Sequence, residues 1–88
     1  MTQERRRELA EKIRAGSLKR LYVRGQQSLA VPWCTVVFKE IRESTVTPSH
    51  GYWILSLPRG ALRSSDVDFV AQSLTNSSHE LEFSDAPF

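Results

Sequence analysis

Ala30-Val31-Pro32-Trp33-Cys34-Thr35-Val36-Val37-Phe38-Lys39-Glu40-Ile41 holds the longest apolar run in the chain, and its reading decides the fold. Its β-branched and aromatic residues predict a strand that other strands pair with. Pro32 lacks an amide hydrogen, so the strand is expected to begin at or just after it. Cys34, Val36 and Phe38 then share one face, and Trp33, Thr35, Val37 and Lys39 the other.

Working outward, Ser17 to Arg24 reads as a first strand. Leu21 and Val23 alternate with Arg20, Tyr22 and Arg24. Gly25-Gln26-Gln27-Ser28 reads as a turn. Beyond the central stretch, Arg42 to Gly51 is expected to be a polar connection punctuated by Pro48 and Gly51. Tyr52 to Leu57 is the third strand, with Trp53, Leu55 and Leu57 on one face and Tyr52, Ile54 and Ser56 on the other. Pro58-Arg59-Gly60 ends it.

Helices flank these strands. Thr2 to Ala15 has Thr2 as N-cap, Gly16 as terminator and a thin stripe of Leu9, Ala10 and Ile13. Ser65 to Thr75 follows the i, i+3, i+4, i+7 pattern with Val67, Val70, Ala71 and Leu74, and Ser65 with Asp68 matches a loose capping box. His79 to Phe83 alternates and adds a short edge strand. Residues 1–83 make one domain and 84–88 a flexible tail. The expected class is α+β: helix, three-stranded antiparallel sheet, helix, short fourth edge strand. Over residues 2–75 this element order resembles that of double-stranded-RNA-binding domains. That family opens its second helix with a lysine cluster, where this chain has Ser65-Asp66-Val67-Asp68.

With 88 residues, 40% hydrophobic and 25% charged, the chain is long enough for one small core and is composed like a folded protein. The single cysteine, Cys34, excludes an internal disulfide and a zinc site of cysteine pairs, and suits a reducing compartment. No apolar leader and no run long enough to span a bilayer is visible, so a cytoplasmic location without a membrane partner is expected. Catalytic motifs are missing. Cys34 has no base near it in sequence, His50 lies in a turn, and no second histidine follows His79 at metal-binding spacing. Neither a cofactor nor enzymatic activity is expected.

Charge is unevenly spread. Residues 1–24 carry eight basic against three acidic groups, net +5, and residues 64–88 carry five acidic groups and no lysine or arginine. Two surfaces follow. A greasy second sheet face with Trp33, Val37, Tyr52 and Ile54, together with the off-stripe Phe69, suits a docking module for a partner protein or for a second copy in a homodimer. Alternatively, Arg5, Arg6, Arg14, Lys19, Arg20, Tyr22, Arg24 and Lys39 would hold nucleic acid, charges on phosphates and rings on bases. The acidic last third, by neutralising the first, favours the docking reading. Where that last third lies decides between them.

Overall fold

The stretch from Ala30 to Ile41 is not a strand. In the computed structural model, which describes residues 2–41, 44–57 and 63–88, it forms most of a helix, α2 (Gln27–Glu40). Ala30, Cys34, Val37 and, just past the helix end, Ile41 are buried, a spacing of four, three and four that only a helix places on one side. The run is also too long for an ordinary strand. Pro32 sits inside the helix, so the Ser28 carbonyl lacks its usual donor. Both residues are exposed, where water can serve that carbonyl.

The remaining elements are α1 (Gln3–Arg14), β1 (Arg20–Arg24), β2 (Thr45–Ser49), β3 (Tyr52–Ser56), α3 (Ser64–Thr75) and β4 (Glu82–Ser84). The class is α+β, with three helices and a four-stranded antiparallel sheet among the described residues. The expected polar connection contains β2, whose Thr45-Val46-Thr47 is β-branched throughout. A two-residue loop joins it to β3. His50 and Gly51 there have φ of +27° and +88°, the positive values such tight hairpins need. The expected strand end at Pro58-Arg59-Gly60, and Arg42 at the head of the connection, lie outside the described residues.

Strand order is β2-β3-β1-β4. The units β1-α2-β2 and β3-α3-β4 each step over one strand and interleave, a doubled split β-α-β arrangement. The likeness to double-stranded-RNA-binding domains therefore does not extend to the fold, because a helix separates β1 from β2. Many unrelated activities use such a topology, so it assigns none.

Register divides the sheet into two faces. Leu21 opposite Leu55, and Val23 between Trp53 and Phe83, point to the helices. They join Leu9, Ala10 and Ile13 of α1 and Val70, Ala71 and Leu74 of α3 in the core. Arg20, Tyr22, Arg24, Tyr52 and Ile54 point the other way. At the end of β1, Gly25 passes close to β4's approach: a Cβ there would lie 2.7 Å from Leu81 Cδ2.

Helices α1 and α3 run antiparallel and pack extensively. Thr2 caps α1, its hydroxyl accepting from the Arg5 amide at 3.2 Å. The expected capping box at Ser65 and Asp68 does not form. Helix α3 starts one residue earlier, with Arg63 at its N-cap, so Ser65 is already helical. Asp68 instead accepts from Arg14 at 3.3 Å. At the opposite end, Gln3 Nε2 donates to the Thr75 carbonyl at 3.0 Å.

Arg6 completes that end. It lies in the buried stripe of α1 and is only 1% exposed. Nη1 donates to the Ser77 carbonyl and hydroxyl, both at 2.8 Å, and Nη2 to the carbonyls of Ser78 and Leu81, both at 2.6 Å. The guanidinium also sits 5.1 Å from the Phe83 ring centre. No basic residue occupies the last turn of α3, so Arg6 supplies from α1 the cation that a helix C-terminus favours. Burial lowers its pKa from the ordinary value. Among the described residues no helix is long and apolar enough to cross a membrane.

Candidate functional site

The basic cluster read from the N-terminal third comes apart in three dimensions. Arg6 is interior, so it is withdrawn as a phosphate ligand. Arg5 pairs with Glu8 at 3.1 Å and Asp85 at 3.0 Å, and Lys12 pairs with Asp85 at 2.6 Å. Arg14 pairs with Glu11 at 2.6 Å and with Asp68, and Arg24 with Glu82. The hydrogen bond from Lys12, with Arg5 beside it, holds the Asp85 carboxyl below its ordinary pKa. Arg24 does the same to Glu82. The acidic last third thus lies on the basic first third and neutralises much of it. Lys19 and Arg20 have no carboxylate partner among the described residues. Lys39 is exposed in the last turn of α2, not on the sheet.

The proposed docking set divides. Trp33 and Val37 belong to α2, not to a sheet face. Val37 is fully buried. Trp33 Nε1 donates to the Ser73 carbonyl at 3.2 Å, and its ring meets Phe83 edge-on at 5.0 Å. Phe69 is half-buried and packs against the core. These three help hold the helices together. Tyr52 and Ile54 stay half-buried on the outer sheet face, as expected of them.

Two apolar residues of α2 missing from that set are exposed. Val36 is 54% and Phe38 46% exposed. Phe38 rims a groove of about 270 Å³ between α2 and the sheet, lined also by Val31, Cys34, Thr35, Val46 and Trp53. The groove is open at a side of the sheet where β2 is the edge strand. Helical spacing of Ala30, Cys34, Val37 and Ile41 is the sequence signal that places Val36 and Phe38 outside the buried arc. A hollow of about 380 Å³ at the β2–β3 turn includes His50, Gln27 and Tyr52, with no facing acid or second histidine in its lining.

Cys34 lines the groove but is 1% exposed, and burial pushes its thiol up to about 11, so thiolate is scarce at neutral pH. Among the described residues no cluster of histidine, cysteine and carboxylate groups is placed to hold a metal ion.

On the outer face the rings form a chain. Tyr22 and Tyr52 meet at 6.0 Å between centres, Tyr52 and Phe88 at 5.6 Å, and the Arg24 guanidinium lies 4.2 Å over Phe88.

A scan against protein-family models, a search of curated proteins and a search of solved structures each give no match to this chain.

Proposed function

We propose that this chain is a non-enzymatic docking module, and that the groove between α2 and the sheet receives an apolar side chain of a partner protein. The observation that carries the reading is Phe38: nearly half of a large apolar side chain stands in water at the rim of an apolar groove. Exposing it is unfavourable by about 25 cal/mol for each Å² of apolar area left in water, which a partner's side chain would relieve. Aromatic residues at the rim of a pocket are frequent anchors of protein interfaces.

The test is photocrosslinking from the groove rim. A photoreactive residue at Thr35, which is exposed there, should capture a discrete partner or a second copy of the chain in cells that make the protein. Phe38→Asp in the same chain should abolish the product, since loss of an anchor costs about 2 kcal/mol or more, some thirtyfold in affinity. A photoreactive residue at Glu4, on the opposite helix, is the control. Crosslinks that persist unchanged with Phe38→Asp would overturn this assignment.

A further inference from the structure

The outer sheet face lies on the side of the sheet away from the helices, and its chemistry differs from that of the groove. The central strands β1 and β3 set Tyr22 and Tyr52 next to one another, with Arg24 at the same end. Phe88 lies on this surface, edge-on to Tyr52 at 5.6 Å and beneath the Arg24 guanidinium at 4.2 Å.

We infer that this face binds single-stranded nucleic acid, and that Phe88 occupies in cis the place of a stacked base. Phe88 lies under the Arg24 guanidinium and meets Tyr52 edge-on, so it covers a cation and a ring on which a nucleobase could stack. Such stacking tolerates any base, since every base offers a π-face. Charge on the face suits a phosphate. Arg20 is exposed and has no carboxylate partner among the described residues, and Lys19 precedes it. The one carboxylate side chain among the described strand residues of this face is Glu82, already held by Arg24. The Phe88 ring is 41% exposed. One edge-on ring contact and one cation–π contact hold it, so a strand that stacks at the same place can displace it. Tyr22 is only 8% exposed, and Tyr52 is only half-buried, so Tyr52 is the ring that a displaced Phe88 opens first. This inference does not rest on the docking groove, and either can fail without the other.

The experiment is fluorescence anisotropy with labelled oligothymidylate and oligouridylate of about 12 nucleotides, within the range of single-strand site sizes. Binding should weaken as salt rises. Phe88→Ala should bind several-fold more tightly than the wild type. Tyr52→Ala should bind at least fivefold more weakly, and Tyr52→Phe, which keeps the ring, should bind like the wild type. Arg20→Gln should reduce the slope of log affinity against log salt by about one phosphate contact. Circular dichroism establishes that each variant is folded before it is titrated. Absence of binding by both wild type and Phe88→Ala overturns the inference. Weaker binding by Phe88→Ala overturns the role given to that ring. If Phe88→Ala associates with itself and ignores the oligonucleotide, the face is a protein surface and the inference falls.

Discussion

Helices α2 and α3 are of similar length and feed the same core, yet only α3 announces itself. In α3 the buried Val70, Ala71 and Leu74 alternate with Asp66, Asp68 and Gln72, so apolar and polar positions separate at helical spacing. In α2 the buried Ala30, Cys34 and Val37 are interleaved with Val31, Val36 and Phe38, which are apolar and outside the buried arc. A helix that is apolar on both sides has no periodicity to read, and its β-branched residues then argue for a strand. The residues that conceal the helix are also those that leave a greasy surface. Local rules tend to break where a surface serves something other than folding.

The comparison is tested most severely within α2. Val37→Asp puts a charge into the core and should cost on the order of 4–5 kcal/mol, enough to unfold the domain in a urea titration, whereas Val36→Asp should stay within about 0.5 kcal/mol of the wild type. A strand reading reverses these two, because it puts Val36 on the helix-facing side. Arg6→Ala tests the opposite pair, α1 and α3. It strands several buried carbonyls and should cost about 3–5 kcal/mol, and Arg6→Lys should recover little of that, since an ammonium cannot reproduce the planar fork. Pro32→Ala should stabilise α2 by about 2 kcal/mol, the penalty of interior proline less its entropic advantage in the unfolded chain. Loss of stability would show that Pro32 packs in a way the helix needs.

The smallest effect is acid sensitivity. Asp85 and Glu82 have pKa values depressed in the folded chain, so near pH 4 the unfolded chain binds more protons. Their contribution is complete above the ordinary carboxylate range and is lost as pH falls through the depressed values. Asp85→Asn should reduce stability at neutral pH by a few tenths of a kcal/mol and flatten the fall of the urea midpoint towards pH 3.

Much of the fold was legible for physical reasons that can be named. Thr2, Gly16 and the stripe Leu9, Ala10, Ile13 mark α1, alternation of Leu21 and Val23 with Arg20 and Arg24 marks β1, and a short aromatic and aliphatic run bounded by Gly51 marks β3. Strand β2 was hidden because it is mostly exposed at the edge, so only the β-branched Thr45-Val46-Thr47 spoke for it. Arg6 was hidden by its charge. Its position, three and four residues before Leu9 and Ala10 and seven before Ile13, puts it in the buried stripe, but an arginine is by default placed in water. The candidate site was legible in part. Tyr22, Arg24, Tyr52 and Ile54 do share a face. Trp33, Val37 and Lys39 were assigned to it only because α2 was read as a strand, and the pairing of Asp85 with Arg5 and Lys12 needed the third dimension.

The Arg6 clamp also sets an order of assembly. Its acceptors lie 71–75 residues downstream, at Ser77, Ser78 and Leu81. While the chain is being synthesised, α1 can form as a local turn of helix but has nothing to close on. The guanidinium stays in water until Ser77, Ser78 and Leu81 have emerged. Contacts that join such distant points carry the largest loop-closure entropy and form late. On a ribosome this domain would remain open until the segment from Ser77 to Leu81 has been made, and lock only then.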